Sequence, residues 1–208
     1  MGNTKEDAVL IVGINGSPHR EGTTKKLMRY VLDEVETLGA KTEMLEAHSI
    51  MADQKVAFCT HCSKPCSKVC FQGTRLDDAY ELLRKADGVL LGSPVYFGCA
   101  SAQIRAFFDK SRSLRWDRAL CNVVAGAVAV GGARFGGQET TMRDLHEMAL
   151  IQGMTVVGDG HFDDTCGHYG VGAIGGDIEE ETRITRSKVL AQRMVEMCRA
   201  TKELRCRT

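Results

Sequence analysis

The sequence predicts an α/β fold: a three-layer sandwich with helices on both faces of a five-stranded parallel sheet in the order 2-1-3-4-5. Three observations carry this expectation. Four short apolar runs, rich in Val, Ile, Leu or Ala, have the length and composition of strands buried on both faces. Segments of helical periodicity alternate with them along most of the chain. A length of 208 residues, 43% of them hydrophobic and only three of them proline, suits one domain, 1–208, around one core. Right-handed crossovers then place helices on both faces, and five strands favour an order that reverses beside the first strand.

The first run, Val9 to Ile14, reads as a central strand. It leads into Gly16 to Thr24, GSPHREGTT, where small residues and hydroxyls deliver the chain to a helix N-terminus at Thr23 to Leu38. Free N–H groups of a first helical turn bind anions, and Ser17, Thr23 and Thr24 can add hydroxyl donors; the alternative is that Ser17 or Thr23 simply caps the helix. Thr23-Thr24 stands where a nucleotide-hydrolysing loop would need Lys then Ser or Thr, which disfavours that chemistry. Lys41 to Ala47 alternates Thr42 and Met44 with charged residues and reads as an edge strand. A long connection, about 49–73, then carries four cysteines and reads as an insertion loop.

After a helix at Leu76 to Ala86, the third strand, Gly88 to Gly92, runs into GSPVYFG. Pro94 stops the strand there and Tyr96 and Phe97 sit at the carboxyl edge, placed to lie near a flat ring or to pack into the core. A helix over Ser101 to Ser113 and a strand over Asn122 to Val130 follow. The next turn, Gly131 to Glu139, GGARFGGQE, holds four glycines that let backbone amides approach a ligand. A helix over Glu139 to Gln152, with Met142, Leu145, Met148 and Ala149 on its core side, leads to the fifth strand at Met154 to Gly158. Asp159 to Asp177, with six of the 22 glycines, reads as a glycine-rich loop, and a last helix runs from Ile178 to Glu203. Within that loop Gly170, Gly172 and Gly175 match a dinucleotide fingerprint without the strand-turn-helix context it needs.

Composition excludes several functions. Lys plus Arg and Asp plus Glu each total 27, which leaves no global electrostatic case for nucleic acid or an anionic membrane. The apolar run near the N-terminus, Ala8 to Val12, is too short for a signal core or a spanning helix. With that reading, nine cysteines imply reduced thiols or metal ligation in a cytoplasmic protein. The pattern G-x-S-x-G of a serine hydrolase is missing.

Taken together, GSPHREGTT, then SPVYFG before an amphipathic helix, then GGARFGGQETT before the strand GMTVVG, resemble the NADPH-dependent FMN reductase family of the flavodoxin-like superfamily, and within it the iron-sulfur flavoprotein branch. The resemblance spans roughly Val9 to Gly176. It implies a flavodoxin-like fold that holds FMN. Ser17, His19, Gly22, Thr23 and Thr24 would lie at the phosphate, and Pro94, Val95, Tyr96, Phe97 and Gly98 would flank the ring and ribityl chain. Gly131, Gly132, Gly136 and Gly137 would lie at the ring's other edge, their amides favouring negative charge on the reduced cofactor. The chain departs from the family at His19, where Arg is frequent, and at Thr23, where Asn is. No protein nucleophile or other catalytic side chain is implied; the cofactor carries the chemistry.

Cys59, Cys62, Cys66 and Cys70 are spaced C-x2-C-x3-C-x3-C, four soft ligands within twelve residues. They can ligate a [4Fe-4S] cluster or a tetrahedral zinc, or remain free; the compact loop suits a cubane better than the paired knuckles common for zinc. The resemblance adds that iron-sulfur flavoproteins carry such a loop before the third strand. It also implies electrons passing from a ferredoxin to cluster to FMN, within a homodimer or homotetramer where cluster and flavin belong to different chains. NAD(P)H is the alternative reductant and a small molecule the expected acceptor. A cluster-free NAD(P)H-dependent FMN or quinone reductase and a non-enzymatic electron carrier or redox sensor are the competing readings. Of the other cysteines, Cys99 lies beside the proposed flavin loop, and most of Cys121, Cys166, Cys198 and Cys206 read as buried small hydrophobes. Cys166, His168 and Tyr169 are candidates to line a substrate pocket.

Overall fold

A computed structural model describes residues 8–205. Its sheet runs β2-β1-β3-β4-β5, all parallel, with β1 over Leu10–Asn15, β2 over Lys41–Glu46, β3 over Gly88–Pro94, β4 over Val124–Gly131 and β5 over Thr155–Val156. The expected order holds. β2 is the edge strand the alternation of its residues implied, and β1, β3 and β4 are buried almost end to end.

Side chains alternate across the sheet and so build two cores. On one face Val12, Ile14, Val89, Leu91 and Ala127 pack under α2 (Ala47–Met51), α3 (Arg75–Leu83), α4 (Ala102–Asp109) and α6 (Gln138–Ile151). On the other, Ile11, Leu90, Val124 and Val128 meet α1 (Thr23–Thr37) and α7 (Glu181–Ala200), whose Leu27, Val31, Leu190 and Met194 are fully buried. Met142, Leu145 and Ala149 are in the core as the helical spacing required, with Met148 half-buried beside them.

Three elements differ from the sequence reading. The segment read as the end of the edge strand and the start of the insertion loop forms the short helix α2. The helix expected over Ser101 to Ser113 breaks into α4 and α5 (Arg112–Trp116). The break has polar causes: Lys110 turns inward to donate to Gln54 Oε1 at 3.1 Å, and Ser111 Oγ donates to the Phe108 carbonyl at 2.6 Å. The glycine-rich segment 159–177 is not all loop. It contains a sixth strand, β6 (Val171–Ile174), paired with the second half of β4 from Val128↔Val171 to Gly131↔Ile174, while the two-residue β5 pairs with the first half. The fifth position of the sheet is thus filled by two pieces with an excursion between them. Gly170 permits the return, since at φ +147° a Cβ there would stand 2.1 Å from the Ala127 carbonyl of β4.

The amino edge of the sheet closes on a buried ion pair. Asp87 accepts the Leu10 N–H at 2.8 Å and the Arg205 guanidinium at 3.0 Å, and Arg205 also donates to the Cys198 carbonyl at 2.7 Å. Burial, the main cause, pushes the Cys198 thiol up to about 12. That favours the neutral thiol in the fold, so its contribution is present below the ordinary thiol range of about 8.5 and is lost as pH rises from there toward 12. In native protein at about pH 8, an alkylating reagent should therefore label Cys99, Cys121 and Cys166 and spare Cys198 until a denaturant is added. Mass mapping of the labelled peptides checks this, and native labelling at Cys198 would refute it. The exposure of Cys121 and Cys166 corrects the sequence reading of most of these cysteines as buried, whereas Cys198 is buried as expected; Cys99 is exposed, and Cys206 lies outside the described residues.

Candidate functional site

Three loops meet at the carboxyl edge of the sheet, where β1 has β2 on one side and β3 on the other, the crevice in which doubly wound sheets bind ligands. The first follows β1. Asn15, fully buried at the strand end, accepts the Ser17 N–H at 3.0 Å and donates to Glu46 at 2.7 Å. Ser17, also buried, spends its Oγ as acceptor for the His19 N–H at 3.1 Å, so it does not cap α1. Gly22 is the N-cap of α1 and no side chain bonds the first turn, whereas Thr74 caps α3 and Ser101 caps α4. The N–H groups over Thr23 and the buried Thr24 are left for an outside acceptor with negative charge. Lys25, in that first turn, does not take the role: it is held by Glu21 at 2.8 Å and Glu46 at 3.2 Å, which raises its pKa and lowers that of Glu21. His19 is exposed on the loop.

The second loop leaves β3 through Pro94 and Val95, both half-buried. Tyr96 and Cys99 exchange both backbone hydrogen bonds at 3.0 Å around Phe97 and Gly98, which have φ of +53° and +75°. Two positive values in succession form the tight turn that suits a glycine at its second position, and here it pushes Phe97 fully into solvent with Tyr96 40% exposed beside it. The third loop, after β4, lifts Phe135 to 95% exposure at φ +57° and ends at Gly137, which caps α6 in a left-handed conformation. Gly132 and Gly136 are exposed along it, and Gly131, buried at the end of β4, accepts the Gly175 N–H at 3.0 Å.

Long-range bonds tie the loops together. Gly16 N–H donates to the Gly92 carbonyl at 2.7 Å, Ser101 Oγ donates to the Gly16 carbonyl at 2.6 Å, and Thr140 Oγ1 donates to the Gly98 carbonyl at 2.8 Å. At Gly137 a Cβ would lie 3.1 Å from Gly98 Cα, so the second and third loops touch there. The fourteen residues expected at the cofactor thus share one edge. Asn15, Ser101 and Thr140, which organise them, went unread in the sequence. A polar residue ending a buried run, as Asn15 does, was the available signal.

The cysteine loop lies elsewhere. Its Cys59 N–H donates to Asp109 Oδ2 at 2.5 Å, Arg112 Nη1 stands 4.0 Å from Cys59 Sγ, and buried Phe71 anchors the other end edge-on against Tyr80. Asp109 is the last residue of α4 and Ser101, at the three loops of the sheet's carboxyl edge, is its cap, a helix rise of about 12 Å. All four cysteines are free thiols, Cys59 and Cys66 half-buried and Cys62 and Cys70 exposed. Among the described residues they are not gathered into a metal-ligating group. Their donor chemistry nonetheless fits a soft metal centre, four unpaired sulfurs in one loop. Burial above all, with Cys70, Cys66, Asp109 and Cys59 adding to it, raises the Tyr80 phenol well above its usual range. Tyr80 donates its proton to the Phe107 carbonyl at 2.6 Å.

Of the remaining candidates, His168 and Tyr169 line a cavity of about 380 Å³ with His146, whereas Cys166 is not in its lining. His146 is held below the ordinary histidine range by burial. His168 faces Asp159, with its Nδ1 3.5 Å from the carboxylate.

A helix start left open to an anion, set at the switch point of a parallel sheet and overlooked by turns that present aromatic rings, defines a flavoprotein of the flavodoxin-like class. The sequence model of the NADPH-dependent FMN reductase family matches residues 9–167, and the chain belongs to that family, as a flavin-dependent oxidoreductase. It is 38% identical over 203 residues to an iron-sulfur flavoprotein of Methanocaldococcus jannaschii, covering 93% of this chain and 99% of the relative. It is 33% identical over 207 residues to an iron-sulfur flavoprotein of Archaeoglobus fulgidus, covering 94% and 98%. A solved WrbA-like flavodoxin from Agrobacterium tumefaciens shares the fold, with a TM-score of 0.65 at 16% identity over 93% of this chain and 98% of that one. No described helix is long and apolar enough to cross a membrane.

Proposed function

We propose that this protein is an iron-sulfur flavoprotein that takes electrons from a ferredoxin-like donor, or from NAD(P)H, and passes them through FMN to a small acceptor. The observation that carries the reading is the loop of four free thiols fastened to α4, in a chain whose flavin edge lies at that helix's other end. FMN, when bound, supplies the exchange between one- and two-electron chemistry. The first turn of α1, with Ser17, His19 and Thr24, would hold the phosphate. Tyr96 and Phe97 would cover the ring, and Gly131 to Gly137 would offer amides to it. A single phosphate site argues for FMN over FAD. Cys59, Cys62, Cys66 and Cys70 would hold a [4Fe-4S] cluster. The separation along α4 favours a homodimer or homotetramer in which the loop of one copy serves the flavin of another.

Anaerobic purification with iron, sulfide and flavin analysis tests this. We expect about four irons per chain and FMN, with Cys62→Ala losing most of the iron and the ability to accept electrons from reduced ferredoxin while keeping its FMN. Less than about one iron per chain after reconstitution would reject the cluster, since a cubane needs roughly four. The cluster-free NAD(P)H-dependent reductase would then stand, and NADPH turnover would separate it from a non-enzymatic carrier.

A further inference from the structure

α5 and the turn after it form one wall of a hollow of about 350 Å³ whose lining is Cys66, Arg112, Arg115, Trp116 and Arg118. It lies beyond the end of α4 that is remote from the flavin loops. No carboxylate lines it. Asp117, the nearest in sequence, is taken by Arg84 at 2.6 Å. Three guanidiniums, two from α5 and one from the turn that ends it, line the same hollow, an arrangement that repels itself unless an anion is present.

Their existing partners do not account for them. Arg112 leans toward Cys59 Sγ, and one amino group of Arg115 donates to the Ile151 carbonyl, which leaves the rest of its fork open. Arg118 has no ion-pair partner among the described residues, and it sits at φ +56°, where the helix ends with Ala119 N–H bonded back to the Leu114 carbonyl at 2.9 Å. Glycine is the usual occupant of that left-handed position. Beside these charges Trp116 leaves 59% of its surface exposed. Charge balance with the cysteine loop would explain Arg112 but not an open indole.

We propose that this hollow binds a phosphorylated, flat-ringed ligand of mononucleotide size, its ring stacked on Trp116 and its phosphate held by Arg118 and Arg115. Planar guanidinium forks match phosphate oxygens in pairs, an indole is the best stacking surface among side chains, and the volume admits one nucleotide rather than a dinucleotide. The hollow lies away from this chain's own flavin edge and adjoins the cysteine loop, with which it shares Cys66.

Trp116 is the chain's only tryptophan, so its fluorescence reports on this hollow alone. Protein as isolated, with FMN bound, is titrated with 5′-AMP, adenosine and inorganic phosphate. We expect saturable quenching by AMP below about 1 mM, adenosine at least about tenfold weaker because the phosphate contact is worth that factor, and reversal of the AMP signal by phosphate. Arg118→Gly should weaken AMP about tenfold while leaving the melting temperature unchanged or higher, because glycine suits the positive φ. Absence of saturable quenching, equal quenching by adenosine, an unaltered affinity in Arg118→Gly, or release of FMN by AMP would each overturn the proposal.

Discussion

Gly137→Val should raise the Kd for FMN about a hundredfold while the protein remains folded. Valine resists φ +100°, and its Cβ would stand 3.1 Å from Gly98 Cα and 3.2 Å from Val95 Cγ1. Without ligand the second and third loops can relieve that crowding by parting. Binding requires them to close again, so the strain, about 3 kcal/mol from the backbone and the overpacking together, appears in FMN affinity as roughly two decades. Flavin fluorescence titration measures it, with Gly137→Ala expected between wild type and valine. An unchanged Kd for the valine variant would mean that the contact of these loops does not shape the site.

Asp87→Ala should cost about 3 to 5 kcal/mol, because it strands the Arg205 charge in a pocket where its side chain is only 3% exposed. In a chain of this size that lowers the melting temperature by roughly 10 °C or more. The Leu10 N–H at the start of β1 loses its acceptor at the same time. Removing the second charge as well, with Asp87→Ala and Arg205→Met together, should recover much of the loss, since no unpaired ion then remains buried. Calorimetry of the two variants decides it. A double variant as unstable as the sum of its parts would show that the pair is not coupled.

The strand order and the edge at which the three loops meet were legible because the strands carry unbroken apolar runs and the loops carry their own turn chemistry. Residues 17–24, 94–98 and 131–137 could be placed on one edge without coordinates for that reason. β6 was hidden because Val171-Gly-Ala-Ile is short, glycine-flanked and strand-like only beside β4. The break after α4 depends on Gln54, fifty-six residues away from the lysine that reaches it. Ser101 and Thr140 act through bonds to carbonyls 85 and 42 residues distant. Nothing local marks such partners. The exposure of Cys99, Cys121 and Cys166 has the same origin, since it depends on which surfaces the tertiary fold leaves open.

The divided fifth position of the sheet also bears on solubility. A long bare margin of unpaired N–H and C=O groups invites strands of other molecules to add on, the first step toward aggregation. Here one margin is a two-residue piece and a four-residue piece separated by the excursion, and the other, β2, carries Lys41, Glu43 and Glu46. Neither offers a continuous apolar template, so copies of this chain are steered away from β-addition and toward meeting through helices and loops.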